Sequence, residues 1–144
     1  MRMVFDSWQA WALLAAVFAA LTAVFAKLGV TNVDSNVATL ARTLVIVFVL
    51  GLVLLANGRL GELGRFDGRT WLFLILSGLA TGASWLAYFR ALQLGEASRV
   101  APLDKLSVVF VAVLAALFLG EKLSLIGWTG IGLITLGAIL VALA

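Results

Sequence analysis

Five apolar runs, each about as long as a membrane is thick, constrain this chain more than any other feature. They cover residues 8–28, 36–56, 70–94, 98–119 and 124–143. A helix needs about 20 residues to cross a hydrocarbon core of about 30 Å. In lipid every backbone N–H and C=O needs a partner within the protein, so only helices and closed barrels cross. The runs lack the alternation of a barrel strand and are about twice its length. The sequence therefore predicts an all-α integral membrane protein with five transmembrane helices.

Composition supports lipid as the solvent. Of 144 residues, 64% are hydrophobic and 12% charged, whereas a soluble domain keeps about a quarter of its residues charged. The net charge of +3 would suggest nucleic acid in a soluble protein. Here the basic residues sit mostly at the ends of apolar runs, where they anchor helices at the bilayer surface. No nucleic-acid partner is expected. The chain has no cysteine and no histidine, which removes thiolates, disulfides and the commonest proton shuttle and metal ligand. With a single acid inside an apolar run, paired-acid catalysis is also lacking. The expectation is a protein that is not an enzyme and holds no metal or cofactor.

The connections are short. "GVTNVDSN" (29–36) offers Asp34 or Ser35 as an N-cap, "NGRLGELGRFDGR" (57–69) reads as a polar loop, and "GEASR" (95–99) and "GEK" (120–122) read as tight turns. None could form a soluble domain, so residues 1–144 are expected to make one five-helix unit. Val24 and Ala26 fit a small-residue cleavage pattern, but the first run is too long and too aromatic for a cleaved signal.

Alternation of five helices puts Arg2, Arg59, Arg65, Arg69 and Lys122 on one side of the membrane. Lys27, Arg90 and Arg99 fall on the other, with Arg42 and Lys105 embedded from that side. The excess of five over three places the N-terminus in the cytoplasm by a narrow margin. Counting the embedded pair makes the sides equal, as insertion in both orientations would need.

The embedded polar groups are the candidates for function, because a charge at the bilayer centre costs about 2.5–3.5 kcal/mol. Arg42 lies about 10 Å into the second helix at 1.5 Å per residue, between Thr39 and Thr43. Asp104 and Lys105 reach a similar depth if the fourth helix begins at Ser98. If it begins at Ala101, Pro102 and Asp104 are ordinary first-turn residues. On the third helix Ser77, Thr81, Ser84 and Tyr88 share one stripe. Gly78, Gly82, Trp85 and Phe89 form the row beside it. The stripe could line a cavity or hydrogen-bond to neighbouring helices.

"LARTLVIVFVLG", "YFRALQLGEASRVAPLDKLSVVFVAVLAALFLGEKLS" and "GWTGIGLITLGAIL" resemble one EamA domain of the drug/metabolite transporter superfamily. The Gly120–Glu121 turn and the glycine-rich last helix carry the likeness, which extends over essentially the whole chain. It is similar to the five-helix, single-domain bacterial and archaeal members. Most relatives join two such domains as inverted halves around a central cavity and move amino acids, nucleotide sugars, drugs and other small metabolites.

The resemblance implies a transporter of small molecules in the cell's inner membrane. A chain with one repeat and balanced Lys/Arg is what an antiparallel homodimer working by alternating access would need. Thr39, Arg42, Thr81, Ser84, Trp85, Tyr88, Asp104 and Lys105 are the expected substrate-binding residues. Arg42 and Lys105 against Asp104 leave one embedded positive charge, which suits an amino acid-like zwitterion or an anion. Small multidrug resistance relatives exchange protons at a first-helix glutamate, but here no carboxylate lies between Asp6 and Asp34. The alternative reading is a non-transporting assembly or partner subunit that buries the same polar groups in contacts.

Overall fold

A computed structural model describes residues 7–144; Arg2 and Asp6 lie outside them. All five runs are helical, and no strand occurs among the described residues. The elements are α1 (Trp8–Gly29), α2 (Ser35–Ala56), a 3₁₀ helix (Leu60–Arg65), α3 (Gly68–Leu94), α4 (Ala97–Asp104), α5 (Ser107–Leu114), a π-helical turn (Ala115–Leu119) and α6 (Leu125–Leu143). Five spans are long and apolar enough to cross a membrane, the fourth running from Ala97 to Leu119 through α4, α5 and the π turn.

Side-chain caps mark four of the helix starts, Ser7 Oγ accepting from the Ala10 N–H at 3.4 Å before α1. Asp34 Oδ1 accepts from the N–H groups of Asn36 and Val37 at 2.9 and 3.1 Å, so Asp34 rather than Ser35 caps α2. Asp67 Oδ1 accepts from the Thr70 N–H at 2.8 Å, and Ser124 Oγ from that of Gly127 at 3.2 Å. Each satisfies an N–H that the first helical turn leaves unpaired.

The fourth span departs from the single helix expected over residues 98–119. It starts at Ala97, which places Pro102 in the second turn and Asp104 at the C-terminal end of α4. Asp104 is therefore not a first-turn residue. Pro102 has no N–H to return to the preceding turn. Beyond it the backbone tightens: Lys105 bonds to Pro102, Leu106 to Leu103, Val108 to Lys105 and Val109 to Leu106, all at 3.0–3.1 Å. These three-residue bonds have 3₁₀ character and separate α4 from α5. At the far end the helix widens into the π turn. Gly120 closes it at φ 68°, a left-handed conformation that glycine adopts without strain.

Two compact groups of helices form. One comprises α1 as far as Lys27 together with residues 94–144; the other comprises residues 28–93. In the first, α4 and α5 pack against α6. In the second, Arg42 near the start of α2 meets Trp85 and Phe89 near the end of α3. Gln93, at the end of α3, meets Val33 just before α2. The two helices therefore run antiparallel, joined by residues 57–67. Large apolar side chains such as Phe48, Phe110, Phe118 and Ile126 are exposed. Lipid accommodates them where water would not.

Candidate substrate-binding site

The α2–α3 pair holds the arrangement of most chemical interest. On α2, Thr39 Oγ1 donates to the Ser35 carbonyl and Thr43 Oγ1 to that of Thr39, both at 2.7 Å. These hydroxyls are satisfied within their own helix. Arg42 stands between them and reaches α3. Its guanidinium carbon lies 3.9 Å from the centroid of the Trp85 ring and 5.3 Å from that of Phe89. Trp85 and Phe89 are four residues apart, so they stand one above the other on the same face of α3.

Aromatic rings attract the face of a guanidinium through their quadrupole, by about 2 kcal/mol or more where water is excluded. They hold the group without cancelling its charge, and its edge keeps N–H donors in a fork that matches a carboxylate. Two ion pairs form among the described residues, Arg99 with Glu96 at 3.6 Å and Lys105 with Asp104 at 3.2 Å. Arg42 is in neither.

The rest of the polar stripe divides. Thr81 Oγ1 donates to the Ser77 carbonyl at 2.8 Å, so its hydroxyl is engaged within α3. Ser84 is exposed and Tyr88 half-buried, and Tyr88 lies within electrostatic reach of Arg42. The residues brought directly onto Arg42 are thus the Trp85–Phe89 row. Around Gly78 and Gly82 no described atom lies within 4 Å of where a Cβ would stand. Their small size goes unused by the described residues.

Gln93 went unnoticed in the sequence. Its Nε2 donates to the carbonyls of Val30 and Val33 at 3.1 and 2.6 Å, while its Oε1 accepts from Arg90 Nη1 at 3.0 Å. One amide thereby ties the 30–34 loop to the end of α3, one turn beyond Phe89. Its position was the available signal: an amide at the penultimate residue of a membrane helix has loop carbonyls to satisfy.

Asp104 and Lys105 belong to the other group of helices, and they pair with each other at the tightened turn that ends α4. In that group Lys27 Nζ donates to the Gly95 carbonyl at 2.8 Å. Among the described residues no cluster of His, Cys, Asp or Glu could hold a metal ion.

The profile of the EamA-like transporter family matches residues 6–143. The chain belongs to that family. A relative from Sinorhizobium sp., described as an uncharacterized transporter in the cobO 3' region, is 62% identical over 137 residues. The match covers 95% of this chain and 97% of the relative. No solved structure gives a significant match. With five apolar spans, the EamA assignment makes this a multi-pass membrane transporter that works in a lipid bilayer on small molecules.

Proposed function

We propose that this EamA transporter carries small polar metabolites bearing a carboxylate, either amino acid-like zwitterions or anions. The observation that carries the reading is Arg42, about 10 Å along its span, stacked on Trp85 and outside every ion pair among the described residues. A substrate carboxylate would take the free edge of the guanidinium. Ser84 and Tyr88, beside the ring row, would supply the polar contacts that a zwitterion also needs. Thr39 and Thr81 shape the same helix faces while their hydroxyls stay bound to backbone. Asp104 and Lys105 are a separate polar point on the fourth span, a neutral ion pair in which a substrate's carboxylate or ammonium would take the place of one partner.

The working unit we infer is an antiparallel homodimer in the inner membrane, each chain supplying one five-helix repeat. The near balance of Lys and Arg between the two sides supports it. Two inverted copies of one repeat supply the symmetry that alternating access exploits.

The test is uptake of radiolabelled amino acids and small carboxylates into vesicles holding the purified chain, wild type against Arg42→Ala. Saturable uptake by the wild type and its loss in a normally inserted variant are expected. Unimpaired uptake by the variant would sink the binding role of Arg42. Paired reporters at Ala144, each active on one side of the membrane only, test the dimer: signal from both sides is expected, and signal from one alone overturns the antiparallel arrangement.

A further inference from the structure

The segment between α2 and α3 is a polar loop by composition, yet residues 60–65 form a 3₁₀ helix. A 3₁₀ helix has three residues per turn, so side chains three apart lie directly over one another. The sequence "RLGELGRFD" (59–67) repeats with that period. It places Leu60, Leu63 and Phe66 on one ridge, Arg59, Glu62 and Arg65 on a second, and Gly61 and Gly64 on a third. The apolar ridge is not packed away: Leu60, Leu63 and Phe66 are 40%, 40% and 38% exposed. Neither Arg59 nor Arg65 joins an ion pair among the described residues. Phe66 stands edge-to-face against Trp71, ring centroids 5.7 Å apart, and Trp71 is itself 42% exposed.

The segment joins the ends of two membrane spans, so it must lie at a bilayer surface. Exposed leucines, a Phe–Trp pair and unpaired arginines are the residue types that settle between headgroups and acyl chains. We propose that Leu60–Arg65 is an amphipathic 3₁₀ helix lying in the membrane interface. Its Leu60–Leu63–Phe66 ridge enters the acyl boundary, and Arg59 and Arg65 bind the phosphates of anionic lipid headgroups. The glycine ridge faces water. Position selects lipid as the occupant, since the segment joins two spans at a bilayer surface. On the charged ridge Arg59 and Arg65 outnumber Glu62 by one, and the Asp67 carboxyl is engaged at Thr70. That leaves a small positive excess toward an anionic leaflet.

The naturally cysteine-free chain permits a direct test. Single cysteines at Leu60, Gly61, Leu63 and Gly64 receive a nitroxide label in the full-length protein, reconstituted in phosphatidylcholine vesicles with or without phosphatidylglycerol. No described atom lies within 4 Å of a Cβ at Gly61 or Gly64, and neither has positive φ, so cysteine fits at both. The ratio of oxygen to water-soluble nickel-complex collisions should be several-fold higher at 60 and 63 than at 61 and 64. Phosphatidylglycerol should widen that gap, and Arg59→Gln with Arg65→Gln should remove the widening. Equal water access at all four positions overturns the proposal in favour of a solvated loop. Protection from both reagents at 60 and 63 overturns it in favour of a protein partner. A three-residue period that ignores anionic lipid and both arginines overturns the headgroup contact.

Discussion

At one end of the α2–α3 pair, polar side chains find partners inside the chain. Arg42 stacks on Trp85, Arg90 donates to Gln93, and Gln93 donates to two loop carbonyls. At the other end Arg59 and Arg65 stand exposed outside any ion pair, beside leucines that are exposed as well. Arginine serves both ends, so residue type does not separate them. The difference lies in what surrounds each guanidinium. At the tied end rings and carbonyls fix position, and the guanidinium edge of Arg42 stays outside every ion pair among the described residues. At the open end nothing holds the arginines, and an extended anionic surface is the partner that suits them.

The largest expected effect breaks the tied end at its centre. Arg42→Ala removes both the charge and the stack, and transport should fall about 30-fold or more, since a lost charge-assisted contact costs about 2–5 kcal/mol and each 1.4 kcal/mol is tenfold. Arg42→Lys is the sharper test. Lysine keeps the charge but has no planar face to lie on Trp85 and no fork for a carboxylate. A loss of about tenfold or more in initial uptake rate is expected. Wild-type rates with lysine would show that Arg42 contributes charge alone and that the rings are incidental.

Much of this end was legible in the sequence, and the reason is energetic. A charge embedded in an apolar run is costly enough to announce itself, so Arg42 stood out. Trp85 and Phe89 were visible as an i, i+4 row, but nothing local indicates which of several aromatic rows on α1 and α3 meets a given arginine. That is a tertiary fact. Thr39 and Thr81 show what spacing alone leaves open. Their spacing matched a polar lining, yet a hydroxyl in a membrane helix can always return to the carbonyl four residues back, and both do. The spans followed from run length, whereas the break after Pro102 rests on three-residue bonds at Lys105 and Leu106 that composition does not encode. The 3₁₀ helix was present as a triplet period, masked by four glycines that read as a loop.

The next effect loosens the tie without touching Arg42. Gln93→Leu deletes two donors to loop carbonyls and the acceptor for Arg90. At about 0.5–1.5 kcal/mol per hydrogen bond, the three lost bonds should cost about 1.5–4.5 kcal/mol on unfolding in detergent. Amide exchange over residues 31–36 should rise while that of α5 stays unchanged. Unaltered exchange in the loop would mean that the Gln93 contacts are dispensable and that the two ends differ less than their hydrogen bonds suggest.

At the open end, Arg59→Gln with Arg65→Gln should move the orientation of the chain rather than its stability. Taking two from the five rim charges on that side leaves three, against Lys27, Arg90 and Arg99 on the other. The ratio of the two reporters at Ala144 should shift a few-fold towards the opposite orientation. Gln at Arg90 and Arg99 should shift it the other way. A ratio that ignores the 57–69 arginines would place orientation under the control of another segment.

The smallest effect probes a device that both ends share, the aspartate cap. Thr70, through its hydroxyl and its backbone N–H, holds the Asp67 carboxyl below the usual carboxylate range. A carboxyl with a depressed folded-state pKa contributes above its unfolded value, about 3.9 for aspartate, and that contribution fades as pH falls through the lower folded value. Neutral pH therefore keeps the cap intact, and only strong acid removes it. Protonation of Asp67 should release the first turn of α3, seen as a lower protection of the Thr70 amide, relative to its intrinsic exchange rate, below about pH 4. Asp67→Asn retains an acceptor oxygen that does not titrate, so the acid-induced change at Thr70 should disappear while exchange at neutral pH stays close to wild type. If Thr70 protection changes with acid in the Asn variant as it does in the wild type, the α3 start is governed by something other than this cap, and the open end is held less by its own backbone than by the surface on which it rests.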